Sequence, residues 1–134
     1  LAAANRMRRL RALPDLQDPY VAASCVGTNK LCSIVVTAAM NRFITQIRAN
    51  TFLFEHSLAV AIIAHELAFL SSTSPEEAYV AGILHDIGQL AFLVADGDRY
   101  RNMLDKQAAT GGNLQQLEER AFGIDHSQAG VLLA

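Results

Sequence analysis

Several kinds of feature are missing or scarce in this sequence, and each gap removes a class of protein. There is no Cys-x-x-Cys pair and no disulfide-type density of cysteine, only Cys25 and Cys32. These two are expected as reduced thiols in or near the core of a cytoplasmic protein. Long apolar runs are also lacking. Leu31 to Met40 is too short, and Ser57 to Leu70 is interrupted by His65 and Glu66, so no membrane-spanning helix and no membrane partner is expected. Charge of one sign is not in excess: the formal net charge of −2 gives no electrostatic reason to bind nucleic acid or an anionic bilayer. The one basic cluster, Arg6, Arg8, Arg9 and Arg11, reads as a solvated helix end and loop. Strand-like alternation, hairpin turns and internal repeats are absent as well, which leaves an all-α chain. An initiator Met and a signal-peptide pattern are both missing, and both ends read as helix, so the chain is expected to be a piece of something longer.

What is present fits a compact domain. At 134 residues, 51 % hydrophobic and 18 % charged, the chain can bury a sizeable core and does not have the composition of a disordered one. Helix punctuation is frequent. Residues 1 to 9 suit a helix end that Pro14 breaks, and Asp18-Pro19 opens a short helix closed by Gly27. Thr28 is expected to cap a helix over about 29–48. It carries a polar stripe of Asn29, Ser33, Thr37, Asn41 and Thr45, and its remaining sides are apolar enough to be packed in more than one direction. Residues 52–71 read as a central core helix, entered after an interruption at Asn50-Thr51.

Ser74-Pro75-Glu76-Glu77 then has the form of a capping box for the helix holding His85-Asp86. Gly88 is expected to let that helix bend or restart. Asp96-Gly97-Asp98 marks a turn before a helix from Arg99 to about Thr110, and Gly111-Gly112 ends it. Asn113 caps a short helix that stops at Gly123, and Asp125 to Gln128 is a second capping box.

The chemistry concentrates in a few polar residues within apolar helices. His85 and Asp86 offer an imidazole nitrogen and a carboxylate oxygen, a pair suited to a hard divalent or iron-type ion. Left unpaired in an apolar run, such a charge costs several kcal/mol, roughly, so it needs a metal, hydrogen-bond partners or an open face. A third ligand must come from a neighbouring helix. His56 and His65 are nine residues apart and point to opposite faces of their helix, so one at most can serve the pair. His56, near the start of its helix, is the natural candidate, and His126 is a fourth. His65, followed by Glu66, has the setting of a hydrogen-bonded structural residue. On spacing alone that plainer role also remains the commoner one for His85-Asp86.

The words around these residues are more specific. AGILHDIGQL, preceded by SPEEAYV, resembles the central motif of the HD superfamily, and more narrowly that of the HDOD (HD-related output domain) family of bacterial signalling proteins. Phe54-Glu55-His56-Ser57 ahead of LAVAIIAHELA resembles that family's aromatic-x-His-Ser word. LEERAFGIDHSQAGVLLA resembles its closing segment, with Glu118 or Glu119 in the glutamate place followed by Phe122, Gly123, Asp125, His126 and Gly130. LAAAN at residues 1–5 and the stretch 22–31 resemble upstream parts of the pattern.

The resemblance implies a multi-helix HD-type bundle, a single HDOD-like domain over residues 1–134 that is truncated at both ends. It implies a regulatory or output module of bacterial signal transduction, largely non-catalytic, whose partners are receiver, diguanylate cyclase or kinase domains. In the wider superfamily a His…His-Asp…Asp set binds metal and hydrolyses phosphoesters. His56, His85 and Asp86 match its first three positions, His126 matches a histidine of the HDOD pattern, and the final Asp has no match. The implied cofactor is a divalent ion (Fe, Mn or Mg), whose presence the sequence leaves open. Gln89 stands where catalytic members often have Lys, and a neutral amide cannot neutralise phosphate charge. The alternative activity is a metal-dependent phosphohydrolase acting on nucleotide or cyclic-dinucleotide phosphoesters.

Overall fold

A computed structural model describes residues 1–47 and 51–133, with side chains described throughout except at residue 51. Among the described residues it is all helix and turn. The elements are α1 (Ala2–Arg9), α2 (Pro19–Val26), α3 (Thr28–Gln46), α4 (Thr51–Ala68), α5 (Pro75–Leu84), α6 (Ile87–Thr110), α7 (Leu114–Phe122) and α8 (His126–Leu133). The fold is an all-α bundle of the HD type. The expected interruption at Asn50-Thr51 lies mostly outside the described residues, as does Arg48.

Local chemistry accounts for most of the boundaries. The Asp18 carboxylate accepts the backbone N–H of Tyr20 at 2.7 Å and opens α2, with Pro19 in the first turn where no amide is needed. Ser74 Oγ accepts from Glu77 N at 3.4 Å ahead of α5. Asn113 Oδ1 accepts from Gln116 N at 3.0 Å ahead of α7. Asp125 and Gln128 form a complete capping box: Gln128 N donates to Asp125 Oδ1 at 2.7 Å, and Asp125 N donates to Gln128 Oε1 at 3.2 Å. Thr28 differs from expectation. It is the first helical residue of α3, and Gly27 occupies the cap position.

The expected turn at Asp96 is a kink inside α6. Asp96 leaves helical geometry (φ −154°, ψ 73°) and its side chain accepts Arg99 N at 3.2 Å, which restarts the helix. At the other end of the chain α1 stops before Pro14. Asn5 bonds Leu16 in both directions (2.8 and 3.1 Å), Arg8 Nε donates to the Pro14 carbonyl, and Arg9 pairs with Asp15. Two of the basic side chains, Arg8 and Arg9, thus bond to the loop that follows α1.

The core draws on Met40 and Ile44 of α3, Ala61 of α4, Ile83 of α5, Leu90, Phe92, Leu93 and Tyr100 of α6, and Ala129 of α8. The polar stripe of α3 is used internally. Ser33, Thr37 and Thr45 hydroxyls each donate to the carbonyl four residues back, and Thr37 Oγ1 also meets Tyr79 OH of α5 at 2.9 Å.

α3 packs in more than one direction, against α2, α4 and α5, although Val35 of α3 and Ile62, Ile63 and Leu67 of α4 are about half exposed or more. One expectation about burial fails. Cys25 and Cys32 are free but exposed, because α2 and α3 bury only Ala22, Ser33, Met40 and Ile44.

Among the described residues, one stretch, Pro75–Thr110, has the length and mean hydropathy to cross a membrane, and α2 with α3 does so only as a pair bent by 113°. Much of its apolar surface has another use. Ile83, Leu90, Phe92 and Leu93 are buried against neighbouring helices, and the chain breaks between α5 and α6 at a polar pair.

Candidate metal centre

That break is what builds the site. On a continuous helix, consecutive side chains diverge by roughly 100° and do not face each other. Here α5 ends at Leu84 and α6 begins at Ile87, leaving His85 and Asp86 in the turn between them, with Asp86 at φ −107°, ψ 22°. Freed from the helical spacing, His85 Nε2 and Asp86 Oδ2 come within 3.2 Å.

Two glycines set the distance to the other helices. A Cβ on Gly82 would lie 2.6 Å from Ala61 Cα, so α4 and α5 can touch backbone to backbone only because position 82 has no side chain. That close approach brings His56 of α4 over the pair: its Nε2 is 3.6 Å from Asp86 Oδ2 and its ring centroid is 5.2 Å from that of His85. Gly88 does the same for α8, where a Cβ would lie 1.9 Å from the His126 carbonyl oxygen. Its place in the sequence is explained by this contact and not by a bend, since the helix restarts before it.

His56, His85 and Asp86 each offer one ligand atom, all within 4.8 Å of one another. Atoms bound to one ion at about 2.0–2.3 Å lie roughly 3–4.5 Å apart, so the spacing suits a single small cation. His126 lies outside this set and meets the other carboxylate oxygen, with Nε2 3.8 Å from Asp86 Oδ1. His65 lies away from this group, against Glu66 (3.1 Å), Phe69 and Tyr79.

The hydrogen bonds fix which ring nitrogens are free. His85 Nδ1 is 2.8 Å from the Gly82 carbonyl, which can only accept, so Nδ1 carries the hydrogen. In the neutral ring, Nε2 is then a lone pair facing a carboxylate oxygen. His126 repeats the pattern. Its Nδ1 donates to Glu118 Oε2 at 2.6 Å, which leaves Nε2 as a lone pair facing Asp86 Oδ1. Acceptors facing acceptors repel, and a cation among them removes the repulsion. This donor set, two imidazoles and a carboxylate with His126 beside them, fits a divalent ion of the zinc, iron or manganese kind.

Gln89 is nine-tenths buried and donates from Nε2 to Asp86 Oδ2 at 3.0 Å. Its amide is therefore spent on the carboxylate. Among the described residues no lysine or arginine pairs with Asp86.

Glu118 was one of two alternatives in the sequence, and the structure separates them. It is completely buried, whereas Glu119 is exposed. Its Oε1 accepts from Tyr100 OH at 2.6 Å, and its Oε2 accepts both the backbone N–H and Nδ1–H of His126, at 2.9 and 2.6 Å. Burial, reinforced by the Glu118 carboxylate, pushes the Tyr100 hydroxyl far above the ordinary phenol range, so it stays a donor. Nothing in the spacing of Tyr100 marked it for this role.

The family model described as HDOD domain matches residues 15–134. The chain belongs to the HDOD domain family. No curated protein and no solved structure gives a match. Residues 1–14, including the LAAAN stretch, lie outside the matched part of the HDOD domain, although Asn5 ties them to its first matched residues. The matched part contains His56, His85, Asp86, Gln89, Tyr100, Glu118 and His126.

Proposed function

We propose that this HDOD domain is a regulatory output module of bacterial signal transduction, largely non-catalytic, that works in the cytoplasm. Its partners would be signalling domains of the receiver, diguanylate cyclase or kinase type, with neither nucleic acid nor a membrane as ligand. His56, His85 and Asp86, with His126 beside them, would hold one divalent ion (Fe, Mn or Mg). Bound there, the ion would supply positive charge to an acceptor-rich cluster and join helices α4, α6 and α8 through one carboxylate.

The observation that carries the non-catalytic reading is Gln89. A phosphohydrolase needs positive charge for its substrate phosphate in addition to the ion. The residue following Gly88 is a neutral amide turned inward onto Asp86 Oδ2 at 3.0 Å, so it supplies no charge and does not point to substrate.

The second reading, a metal-dependent phosphohydrolase of nucleotides or cyclic dinucleotides, is favoured by the convergence of His56, His85 and Asp86 within 4.8 Å. The two are separated by assaying the purified chain against a panel of phosphoesters in Mn²⁺ and in Fe²⁺. The regulatory reading expects no turnover above that of the ion alone. Turnover that vanishes in His85→Ala would overturn it.

A further inference from the structure

Glu118 is unusual among the charged residues of this chain: it is 0 % exposed, yet all its hydrogen-bonding partners come from other elements. Tyr100 belongs to α6, Glu118 to α7 and His126 to α8. A buried carboxylate without partners is strongly destabilising, but this one receives three donors, two of them from a single histidine. Taking the backbone N–H of His126 fixes where α8 starts. Taking Nδ1–H fixes the ring's tautomer and turns Nε2 toward Asp86. The Tyr100 hydroxyl holds the other carboxylate oxygen and so prevents Glu118 from rotating away. The His126 backbone in turn presses on Gly88, so the residue has little freedom left.

We propose that Glu118, clamped by Tyr100, is a positioning residue that presents His126 Nε2 as a ligand, so that ion occupancy ties α8 to the α5–α6 turn and loss of the ion loosens α7 and α8. This rests on the metal reading of the site and deepens it, because it makes the ion a control of how firmly the last two helices dock. Partner histidine–carboxylate pairs of this kind typically contribute about 10–100-fold in metal affinity when removed.

The test uses the whole chain with Mn²⁺ as the probe. Affinity is measured by titration calorimetry, and amide exchange over residues 114–133 is followed with and without the ion. Expected is slower exchange in that segment when Mn²⁺ binds. Glu118→Gln and His126→Ala should lose about 10-fold or more in affinity and most of the ion-induced protection. Tyr100→Phe keeps the Glu118–His126 contact and should lose less, so it serves if Glu118→Gln fails to fold.

A merely structural Glu118 would alter the exchange of the metal-free chain and leave the affinity unchanged. Wild-type chain that binds Mn²⁺, with variants that bind it equally and α8 exchange that ignores the ion, overturns the positioning role while leaving the metal centre standing. Wild-type chain that binds no Mn²⁺ overturns both.

Discussion

Position 88 leaves no room for a side chain. An added methyl group would meet the His126 carbonyl at 1.9 Å and the Gly130 amide at 2.8 Å, both backbone atoms that cannot rotate aside. Gly88→Ala is expected to cost about 3 kcal/mol, the upper part of the usual overpacking range, read as a lower urea midpoint at unchanged slope. A second residue-scale prediction concerns Tyr100, whose ordinary value of 10.0 is raised by burial and by Glu118. In the unfolded chain it ionises near its ordinary value, while in the folded chain it keeps its proton. Above that pH the unfolded state therefore binds fewer protons, and stability falls as pH rises. Unfolding midpoints measured between pH 8 and 11 should drop faster for wild type than for Tyr100→Phe. At this scale His85, Asp86 and His56 were legible, since they are rare polar residues in apolar helices and helical phase separates His56 from His65. Glu118 was not distinguishable from Glu119, because adjacent glutamates in one helix differ only in what covers them. Cys25 and Cys32 were misplaced for the same reason.

Among the elements, the decisive one is the break between α5 and α6. A chain that continued as helix through His85-Asp86 would send the two side chains in different directions, and the cluster would not form. The capping residues Asp18, Ser74, Asn113 and Asp125 were readable because their side chains act within three or four residues. The break was expected near Gly88 and falls earlier, on the pair itself. The glycine answers to α8, an element distant in sequence, and local pattern carries no sign of that. Between α3 and α5, Thr37 Oγ1 and Tyr79 OH form a side-chain hydrogen bond at 2.9 Å. Tyr79→Phe is expected to cost about 1 kcal/mol by chemical denaturation, the net worth of one such bond.

For the whole molecule, the all-α bundle and its family were legible from three separated words, around His56, around His85-Asp86 and around His126. Each carries a helix boundary together with a candidate ligand, so the same residues report both fold and site. Enclosure was not legible. Apolar helices α3 and α4 leave Val35, Ile63 and Leu67 57–58 % exposed, since hydrophobic pattern shows which side chains prefer burial and not whether a neighbour covers them. The bundle brings α4, the α5–α6 turn and α8 together on one carboxylate, Asp86, and both the metal centre and the positioning role of Glu118 depend on a cation being held there. The direct test is calorimetric titration of Mn²⁺ into the wild-type chain and into Asp86→Ala. Saturable binding of a single ion by wild type, lost in the variant, is the expected result. No binding by wild type, or binding that Asp86→Ala leaves unchanged, would contradict the metal centre.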